Sequence, residues 1–503
     1  MEFDAAVRRA FCCGNSEEKK AALPLECSIV LPDYFPDVMK ILRYTAKTVK
    51  SPVYSEEGGE KVSGCVNIEV NYVSEEGELC SCSQLHPFEH KFEVAGKIAA
   101  AEAEVCVGEL GCRAVNQRRI DLHGSIEVLL RVLCAEEKEF VSSVSGAGAV
   151  EKSEEAETVL IAGEYSKSFT LEEKGELGYG KPPFGKILRS SAGAQVTECH
   201  VIQDKIVTKG EVRVSVLWQP EPEEESEETG PFLSEFVFPV SRMVDANGIL
   251  MTDICDAGYA AEFPEITPES EGRELGIRVK INIFARAYRK ETLKYVKDMF
   301  SSEYETKTEK EKLCVINEAV PVVFTENIIE SPELPESAET VTDIWVEALQ
   351  PKLNHEGKIA FTAKICMFAK DEDENPLYFE KTVERELNTP FEGKSIAFYN
   401  LSADVKNCEF GFGKGKKAEV SAAVLIDGTV YTAMSTEAIA SCSINEDKKI
   451  KKDSSAMILC YAEKGEYIWD IAKKYRVPME DILSENGLLG EVLLEKTMLV
   501  IPG

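Results

Sequence analysis

Two short stretches of this sequence gather residue types that do chemistry at close spacing. The first, CSCSQLHPFEH at 80–90, holds Cys80, Cys82, His86 and His90, all side chains that ligate zinc. Their spacing is not that of a zinc finger. In a strand alternate residues share a face, so His90 falls beside Phe88 and Phe92 and reads as a histidine on an apolar face. No metal is assigned. The second, GKPPFGKI at 180–187, satisfies the G-x4-G-K spacing of a phosphate loop, in which backbone N–H groups cradle phosphates. Here Ile187 replaces the Ser or Thr that such a loop needs, Pro182 and Pro183 remove two donors, and no apolar strand leads in. No nucleotide and no other cofactor is expected. The glycine-rich GFGKGKK at 411–417 leads into a strand pattern and reads as a turn. Asp33 and Asp37 lie close in sequence, but the prolines around them indicate a loop. The five histidines stand in no recognisable serine or cysteine nucleophile context, so no catalytic residue is assigned and the chain reads as a non-enzyme.

The elements that carry these residues are bounded by length and charge. At 503 residues the chain exceeds one hydrophobic core, which implies three or four domains. Its 89 acidic and 57 basic residues leave a formal net charge of -32. Such a balance repels nucleic-acid backbones and anionic membranes, whose binding depends on a positive footprint. No run approaches the roughly 18 apolar residues of a membrane span, so no membrane insertion is expected. The first residues are acidic, without the apolar core of a signal peptide, which gives an expectation of cytoplasmic residence. The sixteen cysteines are scattered rather than densely spaced and read as free thiols. Cys12 and Cys13 are placed in a mobile N-terminal arm.

Apolar and polar residues alternate through most of the chain, the period-two pattern of half-buried strands. Residues 64–73 put Val66, Ile68, Val70 and Tyr72 on one face, and 210–218 do the same with Val212, Val214, Val216 and Trp218. Residues 357–368 form a looser third copy. Flanking segments recur with them: 37–49, 184–196 and 342–353 upstream, and 118–133, 273–288 and 416–431 downstream. The chain is therefore read as mainly β, with three tandem sandwich-like modules at 22–144, 159–300 and 301–444. An arm at 1–21 precedes them. Segments 145–158 and 331–340 read as linkers, 445–456 as a charged tether, and the acidic run 220–231 as a solvated loop.

The segment LPDYFPDVMKILR, the segment NQRRIDLHGSIEV and the repeated strand blocks resemble SPOCS domains, a family of spore-forming clostridia and their relatives associated with the spore coat. The resemblance implies a scaffold made in the mother-cell cytoplasm that assembles on the forespore surface. Its implied partners are the coat basement-layer ATPase or other coat proteins.

The last unit, 457–503, changes pattern. Ile468, Ile471, Ala472 and Tyr475 form one helical stripe, Pro478 opens a second helix with Ile482 and Leu483 inward, and Gly487 suits its left-handed stop. Strand patterns flank the pair, giving β-α-α-β. This order and the sequence KGEYIWDIAKKYRVPMEDILSENGL are similar to a LysM domain. That resemblance implies a shallow groove for N-acetylglucosamine chains of peptidoglycan, formed by Gly465, Glu466, Tyr467, Asn486, Gly487, Leu488 and Leu489. Glu466 and Tyr467 depart from the usual Gly-Asp-Thr of the first loop, and the bulky Tyr467 favours a protein-docking role. Trp469, beside the stripe, is placed partly at the surface. The alternatives are a peptidoglycan-binding cortex or cell-wall protein and a LysM-tethered cell-wall hydrolase.

Overall fold

The computed structural model describes residues 2–178, 182–220, 231–269, 272–334, 337–412, 418–450 and 457–502. The phosphate-loop-like residues Gly180 and Lys181, most of the acidic run at 220–231 and most of the glycine-rich 411–417 lie outside them.

The chain is mainly β and repeats one strand plan three times. The first copy comprises β1 (Asp4–Val30), β2 (Val38–Thr48), β3 (Val53–Glu56), β4 (Gly59–Ser74), β5 (Leu79–Glu93), β6 (Lys97–Asn116) and β7 (Arg119–Ser145). The second comprises β8 (Ala149–Glu176), β9 (Phe184–Ile202), β10 (Lys205–Pro220), β11 (Phe232–Asp245), β12 (Ile254–Ala261), β13 (Glu265–Glu269) and β14 (Glu274–Ser301). The third comprises β15 (Tyr304–Glu330), β16 (Thr340–Ala348), β17 (Lys352–Leu353), β18 (Ile359–Lys370), β19 (Pro376–Leu387), β20 (Ile396–Phe412) and β21 (Ala418–Lys449).

In each copy one antiparallel sheet is centred on β4, β10 or β18 and the other on β7, β14 or β21. The alternation in sequence produces this packing directly. Val66, Ile68, Val70 and Tyr72 of β4 are fully buried against Ile120, Leu122, Ile126 and Val128 of β7. Val212, Val214, Val216 and Trp218 of β10 pack in the same way on Leu275, Ile277, Val279 and Ile281 of β14. The third copy repeats the arrangement with Phe361, Ile365, Val424 and Ile426.

The first strand of each copy and its partner from the same copy, β1 with β7, β8 with β14 and β15 with β21, run past their own sandwich. Each pair carries a bulge at a corresponding place, at Gly14 in β1, Ala162 in β8 and Asn317 in β15. A bulge bends a strand and increases its twist, so each pair leaves its sandwich at the same point. Beyond the bulges the three pairs converge. Cys12 and Phe140, Ala156 and Tyr295, and Leu313, Val315 and Ala438 form one core with contributions from all three copies. Further along, Val141, Val296, Met299 and Ile439 form another.

Several sequence expectations are corrected here. The arm at 1–21 is no arm, because Asp4–Val30 is one strand paired with β7 and Cys12 is buried in the shared core. The linker at 145–158 reduces to a turn at Gly146, Ala147 and Gly148, followed by β8. Its glutamates lie on a strand that, among the described residues, pairs along one side, with β14; charge on such an edge deters pairing with foreign strands and mimics linker composition. The segment 331–340 connects β15 to β16 inside the third copy, with Ala338 buried in its core. The tether at 445–456 begins within β21.

The copies are also joined through their other sheets. Trp345 of the third copy lies under the guanidinium groups of Arg43 from the first, at 5.2 Å, and Arg189 from the second, at 4.8 Å. Arg43 is buried and pairs with Glu347 at 2.8 Å and Glu69 at 3.4 Å, while Arg189 pairs with Asp343 at 3.1 Å. Lys47 reaches Glu347 at 2.7 Å, and the Trp345 indole N–H donates to the same carboxylate. Burial alone would raise the Glu347 pKa, but the charges of Lys47 and Arg43 outweigh it and bring it to about 2 from an ordinary 4.5.

A carboxyl depressed in the folded state contributes stability that is complete above its unfolded value and is lost as pH falls toward its folded value. Acid should therefore weaken this joint between about pH 4.5 and pH 2. Glu347→Ala should cost about 3–5 kcal/mol at neutral pH, because Arg43 keeps its burial and loses its closest partner. Urea titrations across pH should show that loss, together with a flatter acid limb in the variant.

Candidate functional site

The C-terminal unit is built from β22 (Met457–Ala462), α1 (Ile468–Tyr475), α2 (Met479–Asn486) and β23 (Thr497–Pro502), with β22 antiparallel to β23. Its core holds Ile468, Ile471, Ala472, Ile482, Leu493, Leu499 and Ile501, so the helical stripe faces inward. Pro478 stands at the N-cap of α2 and Gly487 ends it at φ 61°. The Leu488 N–H closes that stop by donating to the Leu483 carbonyl at 3.0 Å.

Two loops meet at one side of the unit. The Gly465 N–H donates to the Leu493 carbonyl at 2.8 Å, the Leu493 N–H to the Glu466 carbonyl at 3.0 Å, and the Ile468 N–H to the Glu491 carbonyl at 2.8 Å. Gly465 has φ +90°, a conformation that glycine adopts without strain. The backbone partners of the first loop are thus Glu491 and Leu493, further along the chain than the Asn486–Leu489 stretch expected there. Strand-like pairing of Tyr467 with Val492 completes the junction.

The seven expected groove residues divide by role. Gly465 and Glu466 are exposed on the first loop, and Tyr467 is half exposed. Leu489 is fully exposed, whereas Leu488 packs partly into the core. Asn486 is occupied structurally: its amide N–H groups donate to the carbonyls of Ile482 at 2.8 Å and Val500 at 2.7 Å, and its oxygen accepts from the Val500 N–H at 2.7 Å. It holds α2 to β23. Val492 and Leu494, which sequence reasoning did not select, are exposed near the paired loops.

The unit is seated on the second copy. The Trp469 indole N–H donates to Asp298 at 2.9 Å, and the Lys473 ammonium contacts both oxygens of that carboxylate at 2.7 Å. Burial alone would raise the Asp298 pKa, but hydrogen bonds from Lys473 and Trp469 hold it below the ordinary carboxylate value. Phe300 packs on Trp469 with ring centroids 5.4 Å apart, and Val150 joins the same core. Lys152 of β8 lies 5.6 Å from the Tyr467 ring and 4.0 Å from Glu491. Trp469 is only 3% exposed, against the expectation of a partly surface position, because Phe300 and Asp298 cover it.

The other chemical candidates resolve differently. Cys80, Cys82, His86 and His90 all lie on β5 at even spacing, which spreads them over about 34 Å and prevents convergence on one ion. Among the described residues no group of three or more His, Cys, Asp or Glu is arranged to hold a metal. Asp33 and Asp37 flank Arg118, at 3.8 and 2.7 Å, and Arg118 also donates to the carbonyls of Leu31, Pro32 and Phe35. That arginine joins the segments around 31–37 and 118.

Residues 462–502 match the family model of the LysM domain. No curated protein and no solved structure matches the chain.

Because Asn486 bonds its own domain three times, Asn486→Ala should destabilise the C-terminal unit by about 1–3 kcal/mol. Local hydrogen exchange in α2 and β23 should report the loss, with the exchange of β10 unchanged.

Proposed function

We propose that this chain is a non-enzymatic scaffold of the bacterial spore envelope whose LysM domain docks a protein partner. The resemblance of the strand blocks to SPOCS domains supports the setting, a mother-cell protein on the forespore surface. The chemistry of the loops supports the mode of binding. Tyr467, Leu489, Val492 and Leu494 offer apolar surface beside Glu466, Glu491 and Glu495, while Asn486 is engaged within the domain. The observation that carries the reading is the seating of the LysM domain through Asp298 and Phe300 on the three-copy body. A loop face held in one orientation loses less freedom on binding than one on a free tether, which suits a docking module. The partner implied by the SPOCS resemblance is the coat basement-layer ATPase.

A second reading is favoured by the family match itself, since a LysM domain suggests binding to peptidoglycan. The two readings separate in one experiment on the full-length protein. Leu489→Glu combined with Leu494→Glu alters exposed side chains and should leave the circular dichroism spectrum unchanged. Under the docking reading, capture of the basement-layer ATPase falls tenfold or more, and pelleting with purified peptidoglycan is negligible before and after the change. Strong pelleting by the natural chain, lost in the variant while ATPase capture persists, would replace the docking reading with the glycan one.

A further inference from the structure

All sixteen cysteines are free thiols. Cys199 on β9 and Cys255 on β12 face one another with their sulfur atoms 2.8 Å apart, joined by a thiol hydrogen bond. Neither belongs to the LysM domain or to the copy-to-copy joints around Trp345. We propose that Cys199 and Cys255 form a disulfide when the protein meets a small-molecule disulfide, clamping together the two sheets of the second copy.

Three features support the pairing. The first is distance. A disulfide bond is about 2.05 Å long, so closure requires the sulfurs to approach by about 0.8 Å, within the reach of small side-chain rotations. The second is topology. β9 is an edge strand of the sheet β9-β10-β11, and β12 lies at an edge of the sheet centred on β14. The two edges meet around Ile206, Ala246, Ala285 and Ala287, without hydrogen-bonded pairing between the sheets. A covalent bond there fastens a side of the sandwich held by packing and by the hydrogen bond that the Tyr259 hydroxyl of β12 donates to Thr208 of β10 at 2.8 Å. The two positions are 56 residues apart in the chain, so the cross-link also restricts the unfolded ensemble. The third is access. Both thiols are half-buried, and Cys199 lines a cleft of about 970 Å³ where the three copies meet.

The exchange balances without a metal or an enzyme. Either thiol can donate the hydrogen bond between them; with Cys199 donating, the Cys255 pKa is held below its ordinary value and Cys255 serves as the first thiolate. Its sulfur attacks one sulfur of the small disulfide, breaking that S–S bond and releasing one small thiolate. Cys199 then loses its proton to solvent and attacks the Cys255 sulfur in the mixed disulfide, expelling the second small thiolate. Two protein thiols are oxidised by two electrons, and one small disulfide is reduced to two thiols.

The test treats the folded full-length chain with oxidised glutathione, blocks remaining thiols by alkylation and maps the peptides by mass spectrometry with and without reductant. The expected result is a Cys199–Cys255 linked peptide, accompanied by a higher urea midpoint that returns to its starting value on reduction. Cys255→Ser should abolish the linked peptide. The combined Cys199→Ser and Cys255→Ser variant should show no oxidant-dependent rise in midpoint. Recovery of Cys199 and Cys255 as separate alkylated thiols, as glutathione adducts, or paired with other cysteines would overturn the proposal. A linked peptide without a rise in midpoint would overturn the clamp.

Discussion

The structure depends on burying the far halves of its longest strands. A strand of 27 residues, such as β1 or β15, extends about 90 Å, much more than one sandwich covers. Beyond its bulge each long pair presents apolar side chains that its own copy leaves uncovered. The matching faces of the other two copies supply the cover, through Phe140, Tyr295, Leu313 and Ala438. Burying a large side chain contributes about 1.5–3 kcal/mol, so no single pair reaches stability in this region unless the three assemble. The polar joints around Trp345 add direction to that assembly, because Arg43 of the first copy and Arg189 of the second both stack on this one indole of the third while engaging Glu347 and Asp343 beside it.

The same convergence provides a seat for the LysM domain. β14 ends at Ser301 in the converging region, and its last residues present Asp298 and Phe300 to α1. A domain of under 50 residues buries little surface of its own and gains from such a platform. Trp469 therefore stabilises α1 and anchors it to the body within a single core that Phe300 and Val150 share with the domain. The loops around Tyr467 and Leu489 are held by elements that the sequence separates from them by some 170 residues, as the Trp469–Asp298 bond illustrates.

What the sequence revealed follows the reach of its signals. Period-two alternation located β4, β10 and β18, and helical spacing located α1 and α2, because each depends on neighbours within a few residues. Repetition aligned β2 with β9 and β16, and β7 with β14 and β21. The parts that escaped notice are those whose partners lie in another copy. Residues 149–157 carry charges on both faces of a strand and read as a linker, although Ala156 enters the shared core. The N-terminal segment read as an arm because its partner, the far half of β7, lies more than a hundred residues away. At the candidate site the order of helices and loops was legible from the LysM resemblance, but the pairing of the first loop with Glu491 and Leu493 and the structural use of Asn486 were not. Its bonds to Val500 depend on how α2 meets β23, which local spacing does not encode.

The claim that the three long pairs form one cooperative core on which the LysM domain sits is tested most directly by native-state hydrogen exchange at residues 149–157. The relevant amides are those bonded to β14. The account predicts that they exchange only through the global opening that also releases the central amides of β10, with equal free energies and equal denaturant dependence. Rapid exchange at 149–157 while β10 remains protected would mean that the segment behaves as a linker after all, and would contradict the shared core.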